Sequence, residues 1–387
     1  MVSLEDYAGR EQSYVKHVFL ERYLEALVIK TASTYNHIVY VDGFAGPWQS
    51  ANEQFEDTSF GIALNALRRA KQTWQGSGRT VQMTALLVER DAKAFVQLAK
   101  IPARYPDIAV KTYPKDFMSV VPALLKEIPR DAFAFFLIDP KGWRIRLAQL
   151  QPLLGRDKSE VIFNFMFDFV NRAASMKAAV GLDELIPYGD WRRRLAEAEP
   201  IASVTATPEE RKEILVDAFT ESLRVLGGYA YVVPTEILRP LTDRTLYCLF
   251  YATRHDTGLS VFRDCQIAAL KAQSTTRAAG KVKYKASSSG QSELFESLHE
   301  MGPDEIEGRL EDEKRKAEAA IRHLVPKSPA SIVYRKLWST ILLHHMVRKT
   351  DVNTICADMR KKEELLFPDW EAMRRVPQDN YRVQRAE

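Results

Sequence analysis

Four apolar runs in the first part of the chain stop at an acid or reach one within a few residues. "VYVDGFAGPW" (39–48) breaks at Asp42 and turns through Gly43, Ala45, Gly46 and Pro47. A short β-branched run bounded by glycine and proline reads as a buried parallel strand, and its glycines let backbone N–H groups approach a ligand carboxylate. Asp42, Gly43, Ala45 and Gly46 are therefore candidates for holding the amino-acid end of a nucleoside cofactor. "TALLVERD" carries Glu89, read as an exposed strand-end acid placed to accept both ribose hydroxyls. Asp116, in "IAVKTYPKDF", is a candidate acceptor for an adenine amino group, or a cap for a helix starting at Phe117. "FAFFLIDPKGW" reaches Asp139 and Pro140.

Each acid-and-turn pair is a plain structural feature on its own. Together they fall in the order that a class I S-adenosylmethionine-dependent methyltransferase uses, with Asp42 to Gly46 at the methionine end and Asp139 over the reactive methyl. "DGFAGPW" departs from the G-x-G-x-x-G spacing of nicotinamide-binding sheets, which makes a dehydrogenase the weaker reading. In methyltransferases acting on base amines, an acid or amide followed by prolines and an aromatic accepts the exocyclic N–H groups and stacks on a flipped base. Here Asp139 and the Pro140 carbonyl would accept and Trp143 would stack, although Lys141 and Gly142 disturb the spacing and Trp143 reads equally as core. "NFMFDFVNR" adds Asn164 and Asp168 as candidate catalytic residues and Arg172 as a candidate substrate contact; Asp168 also reads as a helix cap and Arg172 as a solvated residue.

The elements that must position these residues alternate. "QSYVKHVFLERYLEALVIKTA" spaces Val15, Val18, Phe19, Tyr23, Leu24 and Leu27 as one helix face. Strands and helices then follow in turn, which predicts an α/β protein with a Rossmann-like class I methyltransferase sheet. Arg-rich sequence over about 168–226 reads as a helical insertion over one edge of the site, and "YAYVVPTEIL" with "RTLYCLFYATR" as an antiparallel pair closing the sheet. This methyltransferase-like domain is expected over 1–273. The small, polar, basic stretch 274–292 reads as a flexible linker. Residues 293–387 read as a helical and winged-helix-like domain, with Arg348, Lys349 and Arg360 to Lys362 near its second helix and Arg374 and Arg375 at the tip of a wing, candidates for contacting nucleic acid.

The chain has 387 residues, 46% hydrophobic and 27% charged, with a formal net charge of +4. That charge permits a nucleic-acid partner without demanding one. Cys248, Cys265 and Cys356 lack CxxC or Cys/His spacing, so neither a disulfide framework nor a metal site is expected. The opening residues lack the apolar core of a signal peptide, and no run reaches about 18 apolar residues, so a soluble cytoplasmic protein is expected.

"YVDGFAGPW", "FFLIDPKGW", "NFMFDFVNR" and "TLYCLFYATRHDTGL", in this order, closely resemble the three-Cys-motif partner (TcmP) family over roughly residues 10–275. The resemblance implies a methyltransferase-like fold and an associated protein with a three-cysteine motif, itself similar to radical S-adenosylmethionine enzymes. Relatives often carry an aromatic where Lys141 stands, which weakens a stacking role there. The function expected is S-adenosylmethionine-dependent methylation of nucleic acid, at a base amino group. The rival is a silent adaptor that binds nucleic acid and the three-cysteine partner.

Overall fold

The computed structural model describes residues 7, 11–46, 50, 55–167, 170, 181–198, 206–239, 242–289 and 296–386. Asp168 and Arg172, both singled out above, lie outside the described residues. The chain divides into two compact units, Met1–His255 and Asp256–Glu387.

In the first unit, helix α1 (Glu11–Ala32) precedes β1 (His37–Asp42), α2 (Ser59–Gly76), β2 (Gln82–Val88), α3 (Ala92–Leu98), α4 (Ile101–Arg104), β3 (Ala109–Tyr113), α5 (Phe117–Glu127) and β4 (Phe133–Ile138). Then come α6 (Gln151–Leu154), β5 (Ser159–Phe165), α7 (Leu182–Leu185), α8 (Trp191–Ala198), α9 (Pro208–Gly227), β6 (Tyr231–Leu238) and β7 (Thr245–Thr253). Among the described residues, seven strands form one sheet in the order β3-β2-β1-β4-β5-β7-β6. β3, β2, β1, β4 and β5 are parallel, while β7 runs antiparallel to both β5 and β6. This mainly parallel sheet is consistent with a Rossmann-like methyltransferase fold.

Burial on both faces explains the unbroken apolar runs. Every residue of β4 and β5 is buried, as are the last five of β1. The helical period of α1 turns Val15, Val18, Phe19, Tyr23, Leu24 and Leu27 inward, as its spacing predicts. Tyr23 also donates to the buried Glu160 of β5, whose other oxygen accepts from Thr253 at 2.8 Å. The strand order reverses between β1 and β4, and ligands of open α/β sheets sit outside the carboxyl ends of strands at such a point.

Among its described residues, the Arg-rich stretch read as a helical insertion holds α7, α8 and α9. Its longest helix, α9, starts on a capping box formed by Thr207 and Glu210 and ends at Gly228, whose φ of +64° suits glycine. Between these caps Leu215, Ala218, Phe219 and Leu223 are buried. The Phe219 ring lies 4.6 to 4.9 Å from those of Phe163, Phe165 and Phe250, which makes α9 part of the sheet's apolar cover. Its surface charge masks a buried stripe.

The second unit holds α10 (Asp256–Ser289), α11 (Glu296–Leu324), β8 (Ile332–Val333), α12 (Tyr334–His344), α13 (Lys349–Lys361), β9 (Leu365–Leu366) and β10 (Arg382–Arg385). Its three strands are ordered β8-β10-β9 and pair antiparallel. The flexible linker expected over 274–292 is instead helical as far as Ser289. Its alanines, lysines and lack of proline permit a helix that a reading based on missing apolar period overlooks. For the same reason the compact units divide at His255 and Asp256, well before 273. Arg263, on α10, is 4% exposed and donates to the carbonyls of Leu342 at 2.6 Å and Leu343 at 3.1 Å, at the carboxyl end of α12. A guanidinium there suits both the orphan carbonyls and the negative end of the helix dipole. Among the described residues, no helix is long and apolar enough to cross a membrane.

Candidate functional site

A cleft of about 800 Å³ opens at the carboxyl ends of the parallel strands. Gly43, Gly46, Glu89, Asp116, Asp139, Pro140, Trp143 and Asn164 all line it, so most of the residues singled out from strand ends are brought together.

Asp42 sits behind the wall. It is fully buried and accepts from the Phe44 N–H at 3.0 Å, the Ser59 hydroxyl at 2.7 Å and the Tyr40 hydroxyl at 3.1 Å. Burial pushes its carboxyl up to about 6; the bonds from Ser59 and Phe44 oppose this, and the charge of Asp139 adds to it. Asp42 thus shapes the turn and ties it to the first residue of α2. Ala45 is also fully buried, and its N–H is given to the Val88 carbonyl at 2.8 Å. Neither Asp42 nor Ala45 is among the residues that line the cleft, whereas Gly43 and Gly46 are. A β-carbon on Gly43 would come within 3.0 Å of the Phe117 ring, which explains the glycine by the close packing of α5.

Glu89 faces the cleft yet is only 3% exposed, which corrects the expectation of an exposed acid. Its Oε1 accepts from the Asp91 N–H at 2.5 Å, and burial raises its carboxyl above the ordinary range. Asp116 caps α5, which begins at Phe117 as its cap reading predicts; its Oδ1 accepts from the Met118 N–H at 3.0 Å, while Arg90 lies 3.7 Å from Oδ2.

At the β4–β5 mouth, both oxygens of Asp139 are engaged. Oδ2 accepts from Lys16 Nζ at 2.6 Å and Oδ1 from Asn164 Nδ2 at 2.5 Å. The Pro140 carbonyl accepts from the Gly142 N–H at 3.1 Å, in a turn where Gly142 takes a φ of +107°. Trp143 packs against the main apolar core as well as lining the cleft. Asn164 is 4% exposed, and its Oδ1 has no hydrogen-bond partner among the described residues.

Lys16 was not singled out by sequence, and neither was Ser59. The available signal for Lys16 was its place on α1 beside His17 and Glu21, polar residues at inward positions that are 6% and 7% exposed. Arg374 and Arg375 belong to the second unit, in the segment between β9 and β10, where Arg374 bonds to Glu371 at 3.1 Å. Basic residues at and along α13 are paired: Lys349 with Asp379 at 2.6 Å, Lys361 with Asp358 at 2.8 Å, and Arg348, just before the helix, with Asp264 at 3.7 Å.

No family model matches the sequence, and no curated protein matches it. Solved structures do. Protein LPL1258 of Legionella pneumophila, of family-model DUF519, is 13% identical with a TM-score of 0.37, over 63% of this chain and 85% of that one. A loganic acid methyltransferase with SAH is 7% identical with a TM-score of 0.30, over 79% of this chain and 90% of that one.

Proposed function

We propose that the first unit is an S-adenosylmethionine-dependent methyltransferase whose target is an amine. The observation that carries this reading is the cleft at the β1–β4 reversal, where Glu89, Asp116, Asp139 and Asn164 stand at the ends of β2, β3, β4 and β5. Its volume suits a nucleoside-sized ligand, and its buried, unpartnered acceptor fits a site built for a ligand with N–H groups. Glu89 would hold the ribose hydroxyls, the Gly43–Gly46 turn the methionine end, and Asp116 the adenine rim. The bound cofactor would supply an electrophilic methyl; transfer would break its S–CH3 bond to leave S-adenosylhomocysteine, form an N–CH3 bond, and release one amine proton to solvent. The protein's part is alignment of the amine and removal of water.

A base amino group of nucleic acid is the proposed target. The β8-α12-α13-β9-β10 order and the β8-β10-β9 sheet support a winged-helix reading of the end of the second unit, with Arg374 and Arg375 on the wing. The adaptor reading, with a three-cysteine-motif protein as partner, draws support from one observation: Lys16 and Asn164 already occupy Asp139. Calorimetric titration of the full chain with S-adenosylmethionine and S-adenosylhomocysteine decides between the two. Binding of both supports the methyltransferase; binding of neither favours the adaptor.

A further inference from the structure

Among the described residues, Asn164 Oδ1 is the buried acceptor without a donor that lines the cleft. Buried carbonyl oxygens are almost always hydrogen-bonded, so this one marks a place where a ligand donor is accommodated. The orientation of the amide is set by its neighbours. Nδ2 donates to Asp139 Oδ1 at 2.5 Å and lies 3.6 Å from Met166 Sδ. Turning the amide over would set its oxygen against the carboxylate, two acceptors face to face. Lys16, at 2.6 Å from the far oxygen, keeps that carboxylate in place. The acceptors expected from sequence are both engaged, Asp139 by Lys16 and Asn164, and the Pro140 carbonyl by Gly142.

We propose that Asn164 Oδ1, and not Asp139, is the acceptor for the N–H group of the amine that receives the methyl. The inference rests on the methyltransferase reading and sharpens it. An amide oxygen here accepts one N–H and fixes the direction of the nitrogen lone pair. Asp139 acts on the amine only through Asn164.

The probe is sinefungin, the cofactor analogue that carries an amine where the transferable methyl stands, compared with S-adenosylhomocysteine, which carries nothing there. Both are titrated calorimetrically into the full chain and into Asn164→Leu and Asn164→Asp. The expected result is that the preference for sinefungin over S-adenosylhomocysteine falls by about tenfold or more in Asn164→Leu, the scale of a lost bond to a charged group, while S-adenosylhomocysteine binds within a few fold of the parent. Asn164→Asp keeps an acceptor, and a proton shared with Asp139 replaces the Nδ2–H bond, so it retains the preference at or above the parent's. A merely structural asparagine would move both ligands together and leave their ratio fixed. An unchanged ratio in Asn164→Leu overturns the inference and leaves the methyltransferase reading standing. If Asn164→Leu does not fold, a fall of the ratio in Asn164→Asp overturns it instead, and retention supports it. Failure of the parent chain to bind S-adenosylhomocysteine overturns the methyltransferase reading and this inference with it.

Discussion

Lys16 Nζ lies 2.6 Å from Asp139 Oδ2, joining a helix that precedes the first strand to the mouth of the fourth. Both side chains are mostly covered, at 17% and 20% exposure, so this ion pair is screened less than a surface pair. Lys16→Met removes a charge-assisted bond and leaves a mostly covered carboxylate with one partner. The expected cost is roughly 1 to 3 kcal/mol of stability, read as a lower urea midpoint at unchanged slope. An unchanged midpoint would mean that the pair contributes nothing to the fold.

Glu89 has two tasks, and two substitutions separate them. Glu89→Gln keeps an oxygen for the Asp91 N–H but lacks the charge, so S-adenosylhomocysteine should bind roughly tenfold more weakly while the fold is retained. Glu89→Ala also strands that N–H and should lower stability by roughly a further 1 kcal/mol. Equal affinity of the parent and Glu89→Gln, measured by calorimetry, would remove the carboxylate from the cofactor site.

The alternation of elements, the antiparallel closing pair and the mouth of the cleft were legible because buried parallel strands leave unbroken apolar runs, and acids after them stand out. Two features were hidden for different reasons. Asp42 reads like Glu89 in sequence, but only the fold shows that Ser59 and Tyr40 close over it. Lys16 is one of many lysines, and its place beside inward His17 and Glu21 does not say which acid, far along the chain, it meets. Helix α10 was missed because its polar residues conceal a continuous backbone helix.

Asp42 predicts a pH dependence. Its carboxyl is raised from 3.8 to about 6, so the native state binds this proton more tightly than the unfolded chain does. Its contribution to stability is therefore full below about pH 3.8 and is lost as the pH rises through about 6, a change of about 3 kcal/mol. Asp42→Asn can still accept from the Phe44 N–H and donate to the Ser59 hydroxyl without carrying the charge. Relative to the parent, this variant should gain about 3 kcal/mol between pH 3 and pH 7, measured from urea midpoints. A constant difference across that range would show that the buried acid does not titrate as stated.

Arg375 is exposed, and the Arg374 side chain bonds to Glu371 at the surface. If the segment between β9 and β10 binds phosphates, Arg374→Glu with Arg375→Glu in the full chain should weaken duplex DNA binding. The slope of log affinity against log salt should flatten by about 0.9 for each phosphate that is no longer neutralised. A slope identical to that of the parent assigns this segment to something other than nucleic acid.

The bonds of Arg263 also decide where this chain can be cut. A fragment ending at residue 273, the border that composition recommends, would carry the guanidinium away from the Leu342 and Leu343 carbonyls that surround it. It would end in half of α10, with a cation built for an interior turned toward water. The remainder would lose the group that closes α12. Severance after His255, where the two compact units divide, keeps donor and acceptors on one piece.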